Sequence, residues 1–208
     1  ISYYGITIII TTIIFKLILL PITLHQNKST KKMNELQPKI QEIQKKYKND
    51  PQTQQRKLAE LYKEHNYNPM SGCLILLIQF PIILAMFSVL RNPVEFVFRD
   101  SALFESINKG FLWIPNLGEP DPYIWGLPLL AAVTTYLQSL VISASAQSNP
   151  QVESTQKFMN VFITVMIFAA ARSFPAGVAL YWIVSNITQI VQQLIIRRSL
   201  GNIKEETK

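Results

Sequence analysis

Apolar runs long enough to cross a bilayer constrain this chain more than any other feature. A crossing takes about 20 mostly apolar residues in one helix, and five stretches qualify: residues 3–24, 70–90, 123–143, 158–171 and 177–196. The fourth is short at its strictest count and reaches full length as 154–174. In hydrocarbon each backbone N–H and C=O must find a partner inside the segment, so an isolated run of this kind spans as a helix. The chain has 208 residues, 49% of them hydrophobic. It is therefore expected to be an all-α membrane protein with five transmembrane helices.

Basic residues set the orientation. The polar stretch 25–69 holds ten Lys/Arg, the tail adds Arg197, Arg198, Lys204 and Lys208, and Lys157 follows the third run. The opposite side has Arg91, Arg99, Lys109 and Arg172. Fifteen against four predicts the N-terminus outside and the C-terminus in the cytoplasm. The net charge of +7 thus reflects topology before it suggests nucleic acid. No nucleic acid is directly required. The absence of an initiating Met and of a charged leader suggests a segment preceding Ile1.

Within this plan Lys16 stands out as the sole Lys, Arg, Asp or Glu in residues 1–27. A charge near a span's centre costs roughly 2.5–3.5 kcal/mol on the mildest insertion scale. Lysines near helix ends escape that cost by reaching to the interface, but Lys16 lies about 12 Å from Leu24 at the helical rise. None of the five runs holds an Asp or Glu to neutralise it. Water or neutral acceptors must then surround the ammonium.

Neutral acceptors are available. Thr12 sits one turn before Lys16, Gln79 is in the second run, and Thr134, Thr135, Gln138 and Ser139 are in the third. Asn160 and Thr164 are in the fourth. In the fifth, Tyr181, Ser185, Thr188 and Gln192 recur at helical spacing beside Trp182, Asn186 and Gln189. Singly, such residues are ordinary interhelical hydrogen bonders, at about 0.6 kcal/mol each. Taken with an unpaired lysine, one polar stripe per helix predicts a hydrated groove.

The segment 28–69 reads as a cytoplasmic helical hairpin. Met33, Leu36, Ile40, Ile43 and Tyr47 recur at spacings of three and four, Asn49-Asp50-Pro51 breaks the pattern, and Leu58, Leu61 and Tyr62 mark a second helix. Its candidate partner-binding residues are Lys31, Lys39, Lys45, Lys46, Arg56 and Lys57, suited to lipid headgroups or a ribosome. The outer loop 91–122 mixes Phe96, Phe98, Leu103, Phe104, Ile107, Phe111, Leu112 and Trp113 with charges, as expected of segments in the interface plane. Trp113, Tyr123 and Trp125 fit an aromatic belt. The organisation is then a first helix at 1–27, the hairpin at 28–69, helices two to five with the outer loop at 70–200, and a short tail at 201–208.

Catalysis has no constellation here. No Ser–His–acid set shares a face, no Gly-rich loop cradles phosphate, and Cys73 lacks a neighbouring His. His25 and His65 have no metal-ligand spacing. The chain is expected to be no enzyme and to use no cofactor or metal. Intramembrane carboxylates, the usual relay of ion-coupled pumps, are missing as well.

A set of ordered motifs resembles the YidC/Oxa/Alb membrane protein insertase family over nearly the whole chain. They comprise Lys16 through Pro21, Gln26, Lys28-Ser29, Lys32-Met33, Leu36-Gln37-Pro38, Lys46-Tyr47, Leu61 through Glu64 and Asn68-Pro69. Gly72-Cys73, Leu77 through Pro81, Asp121-Pro122-Tyr123 and Phe174 through Asn186 complete the set. The resemblance implies an insertase and chaperone whose five core helices form a groove open to cytoplasm and lipid and closed outside. It implies that Lys16, usually Arg in the family, attracts acidic hydrophilic parts of a nascent membrane protein. Trp182 matches the family's aromatic substrate contact. The hairpin is implied to meet the Sec translocon, a ribosome or the signal recognition machinery.

Three departures stand out. Lys16 keeps the charge of Arg but loses its planar fork. Ile75 and Asn160 replace prolines, and the tail after Arg198 is short. The expected groove set is Lys16, Thr12, Gln79, Gln138, Asn160, Thr164, Tyr181, Trp182, Ser185 and Gln189. The working unit is expected to be a monomer in a bacterial plasma membrane. The rival readings are a small-anion transporter or channel that binds through Lys16, and a scaffold that recruits partners through its hairpin.

Overall fold

The computed structural model describes residues 4–68, 74–98, 101–143 and 150–206. Its helices are α1 (Tyr4–Ile18), α2 (Leu20–Lys46), α3 (Pro51–Glu64), α4 (Leu74–Arg91), α5 (Ser101–Ser106), α6 (Leu127–Ser143), α7 (Pro150–Ser173) and α8 (Ala176–Glu206), with a π-helical turn at Val94–Phe98. No strand occurs among the described residues, and Phe111–Ile114 forms an isolated bridge. Met70 and Gly72-Cys73, at the start of the expected second run, lie outside the described residues, as does Arg99.

The first apolar run is not one straight helix. α1 and α2 meet at Leu19 with a bend of 52°, and Pro21 occupies the first turn of α2. Proline suits a first turn, where its missing N–H has no partner to lose, and disrupts a helix interior. α2 then continues without a break from the apolar run into the basic segment. By length and composition Ala176–Ile196 of α8 could cross a membrane by itself, and the bent pair α1–α2 could as one broken span. Gln79–Arg91 and Leu127–Ser143 are apolar but shorter.

α8 is the axis of the bundle, with α1 along one flank, α6 along another and α4 in lighter contact; α7 packs on α6. Much of the outer surface is apolar. Phe158, Val161, Phe162, Val165 and Met166 of α7 are all at least half exposed, and Ile10, Ile14, Leu17 and Ile18 of α1 are similarly bare. Apolar area on this scale is stable facing hydrocarbon and is an aggregation hazard in water.

The principal core gathers at the end of the bundle that carries the loop between α4 and α6. Tyr4 and Ile8 of α1, Leu90 of α4, Ile114 and Leu117 of the loop, Leu127 and Ala131 of α6, and Ala176, Val178, Ala179 and Leu180 of α8 form one buried cluster. Leu117 is fully enclosed, at 0% exposure. The loop also completes two helix starts, whose first N–H groups have no partner inside the helix. Ala176 N–H donates to Glu119 O (2.7 Å) and Gly177 N–H to Leu117 O (2.9 Å) at the head of α8. At the head of α6, Leu127 N–H donates to Asp121 Oδ2 at 2.7 Å.

A separate small core holds the hairpin. Leu36, Ile40 and Leu61 are buried, with Met33, Ile43, Leu58, Tyr62 and Tyr67 packed around them. Met33, Leu36, Ile40 and Ile43 of the stripe read at spacings of three and four form the seam between α2 and α3, while Tyr47 lies outside it as the C-cap of α2. Asp50 caps α3 by accepting from Thr53 N–H at 3.1 Å, with Pro51 at the first helical position.

Candidate functional site

α8 presents its polar residues to three neighbouring helices in turn. Nearest the loop end, Gln79 Nε2 of α4 donates to the Tyr181 hydroxyl at 2.7 Å, and Ser185 is buried one turn further on. On the α6 flank Trp182 Nε1 donates to Thr135 Oγ1 at 3.1 Å. Asn186 Nδ2 donates to the same oxygen at 2.9 Å and to Thr134 Oγ1 at 3.2 Å. Toward the hairpin end, Lys16 Nζ of α1 donates to Gln189 Oε1 at 3.2 Å, and Gln192 Nε2 donates to the Lys16 carbonyl at 3.2 Å.

Residues 181, 182, 185, 186, 189 and 192 fall within an arc of roughly 140° at 100° per residue. They form a polar seam that gives α8 a hydrogen-bonded neighbour at each level. The ion pairs Arg56–Glu60, Lys57–Glu60 and Lys109–Glu105 all lie away from Lys16. The half-buried ammonium is met by a neutral amide. Such an acceptor stabilises the cation without cancelling its charge, so the site keeps a positive field.

The other expected residues divide. Thr12 is 1% exposed and turns its hydroxyl to Ile8 O of its own helix. It packs α1 closely one turn above Lys16. Gln138 lies half-buried one turn beyond Thr134 and Thr135 on α6. Asn160 and Thr164 belong to a second polar group, between α6 and α7. Asn160 Nδ2 donates to Ser143 Oγ and Asn160 Oδ1 accepts from Gln156 Nε2, both at 3.3 Å, while Thr164 Oγ1 donates to Asn160 O. The structure therefore joins Lys16, Gln79, Tyr181, Trp182, Ser185 and Gln189 along α8 and sets the α7 residues apart. Trp182 also walls a small apolar cavity of about 40 Å³ with Ile83, Ala131, Ile167 and Ala171.

On the hairpin, Lys31, Lys39, Lys45, Lys46 and Arg56 are exposed and Lys57 is half-buried. Lys57 pairs with Glu60 at 2.6 Å, and Lys39 meets His65 at 3.1 Å. Asp121 is a site of a different kind. Buried at 4% exposure, it accepts from Tyr123 N–H at 2.9 Å, Leu127 N–H at 2.7 Å and Trp113 Nε1 at 3.3 Å. An Asp accepting two residues ahead is a familiar turn signal. Its reach to Leu127, six residues on, has no fixed spacing and is missed by motif reading.

A helical bundle with no strand among its described residues, a largely apolar exterior and a polar seam holding one lysine has the architecture of an integral membrane protein. The sequence model of the 60Kd inner membrane protein family matches residues 1–204, and the chain belongs to that family. It is 41% identical over 196 residues to a membrane protein insertase YidC of Clostridium perfringens, covering 93% of this chain and 78% of the relative. A Fusobacterium nucleatum protein of the same description is 41% identical over 195 residues, covering 94% and 86%. One from Caldanaerobacter subterraneus is 36% identical over 204 residues, covering 98% and 90%.

Proposed function

We propose that this protein is a membrane protein insertase and chaperone, acting on nascent membrane proteins in a bacterial plasma membrane. α1 with the start of α2, and then α4, α6, α7 and α8, serve as the five spans, with the N-terminus outside and the hairpin in the cytoplasm. The polar seam is one wall of a groove open to cytoplasm and lipid. The observation that carries this reading is Lys16, whose charge faces the amide of Gln189 and no carboxylate.

The mechanism follows from two opposing costs. A hydrophilic segment entering hydrocarbon loses its hydration, and the seam's amides, hydroxyls and ammonium replace part of it. An acidic segment gains most, because its carboxylate meets an uncancelled positive charge. The client's apolar segment meanwhile partitions into lipid, which is favourable without any nucleotide. Trp182, between seam and apolar cavity, contacts the client's helix. The basic face of the hairpin receives the ribosome, the Sec translocon or the signal recognition machinery, and a single copy suffices.

Reconstitution tests this. Purified chain in liposomes, with no energy source, should insert a single-span substrate carrying an acidic translocated tail. Lys16→Glu should slow insertion at least tenfold, and Lys16→Arg should retain it. Wild-type rates for both Lys16→Ala and Lys16→Glu would remove Lys16 from the mechanism. No insertion by the unmodified chain would overturn the function.

A further inference from the structure

Immediately beyond the Lys16–Gln189 contact, on the hairpin side, a crevice of about 340 Å³ opens between the α1–α2 elbow and α8. That volume lies within the usual range of about 300–1,000 Å³ for small-molecule sites. Its walls are divided by chemistry. Leu17, Leu20, Leu24, Ile195 and Ile196 make an apolar trough, while Asn27 and Lys28 stand together at the end where α2 leaves the apolar run. Asn27 Nδ2 is buried and has no hydrogen-bond partner. A buried amide donor without an acceptor is destabilising, so a nearby acceptor would be bound with gain. Lys28 is exposed beside it.

We propose that this crevice binds one anionic phospholipid, with an acyl chain in the apolar trough and the phosphate held by Asn27 Nδ2 and the Lys28 ammonium. An apolar channel with a cation and an amide donor at its mouth matches a molecule that is apolar along its length and anionic at one end. Lys31, exposed one turn further along α2, adds to the positive field that favours an anionic over a zwitterionic headgroup. The α1–α2 wall of the crevice turns at the 52° bend at Leu19, with Leu17 before the elbow and Leu20 and Leu24 after it. The lipid fills the elbow and fixes the angle at which the hairpin leaves the membrane. The site rests on the reading that α1 and α8 lie in the bilayer, and not on insertion activity itself.

The test is lipid retention by the purified full chain, measured by native mass spectrometry after equilibration with vesicles of phosphatidylglycerol or of phosphatidylcholine. One phosphatidylglycerol should be retained at least fivefold over phosphatidylcholine. Lys28→Glu should remove that preference, and Leu24→Trp, which fills the trough, should abolish retention of both. Arg172→Gln, a cation lost at the far end of the bundle, should change nothing. Equal retention of the two lipids overturns the proposal, as does an Arg172→Gln loss matching that of Lys28→Glu, or equal protection of the site by inorganic phosphate alone. A photocrosslinker at residue 24 that labels nascent substrate and not lipid would overturn it too. Because insertion is scored separately, a retained lipid with no insertion counts against the insertase reading and leaves this site standing.

Discussion

The two ends of this bundle are built differently. At the loop end, Leu117, Ile114, Leu90 and the first turn of α8 form a closed core, and the loop's carbonyls and Asp121 satisfy the heads of two helices. At the hairpin end the helices are joined by single polar contacts, Lys16 to Gln189 and Gln192 to the Lys16 carbonyl, beside a crevice of about 340 Å³. Tight apolar packing holds one arrangement, because each displacement opens a void. Isolated amide contacts in a membrane contribute about 0.6 kcal/mol and exchange easily for others. The asymmetry suits the proposed function, in which varied segments enter and leave at the hairpin end.

The largest effect should come from Asp121→Ala. It strands the buried Leu127 amide, at about 1–3 kcal/mol, and removes the acceptor of the part-buried Tyr123 amide and Trp113 indole N–H. Thermal unfolding in detergent should show a loss of at least about 3 kcal/mol, with the loop end opening first in hydrogen exchange. Gly126→Val should behave similarly, since a β-carbon there would overlap the Asp121 carboxylate and meet Trp113 Nε1 at 2.9 Å. A loss under about 1 kcal/mol for Asp121→Ala would mean that the loop end is no anchor. The next effect is confined to the hairpin. Ile40→Ala empties its small core and should cost about 2–3 kcal/mol there, leaving amide protection in α6 and α8 unchanged.

The hairpin was the most legible region in the sequence. Its surface is rich in Lys, Gln and Glu, so burial selects a narrow apolar stripe, and Leu36, Ile40 and Leu61 are the residues the structure buries. Asp50-Pro51 announced the turn for the same reason. The seam was legible as a set of polar residues but not as pairs, because helices apolar all round give no period to fix their rotation. Thus Asn160 and Thr164 read like members of the α8 set and instead join Ser143 and Gln156. The loop's capping role was illegible for another reason. Leu117 and Glu119 act through backbone carbonyls, which carry no residue signature.

A smaller effect should sharpen the contrast along α8. Asn186→Leu removes both threonine contacts while keeping similar volume, and the partners can turn to their own helix, as Thr135 Oγ1 already does toward Ala131 O at 2.7 Å. The expected cost is about 0.6 kcal/mol and no more than about 1.7 kcal/mol. If Asn186→Leu destabilised the chain as much as Asp121→Ala, the seam would be structural cement, and its proposed exchange of partners with a client would be excluded.

The smallest effect is one of pH, and it separates the hairpin from the seam. Asp50 is held below the usual carboxylate range chiefly by its hydrogen bond with Thr53, and Glu60 chiefly by its hydrogen bond with Lys57. A depressed folded value means that stability is present above the unfolded values, about 3.9 for Asp and 4.3 for Glu. It is lost as pH falls through the folded ones. Both groups are exposed, so solvent screens the effect and the change is slight. Acidification from pH 6 to about 3 should therefore reduce protection of the Thr53 amide and the first turn of α3. The Lys16–Gln189 and Asn186–Thr135 contacts contain no carboxylate and should keep their protection over the same range. A seam that loosened in step with α3 would show that the two regions unfold as one unit, and the hairpin could not then move independently while a client enters.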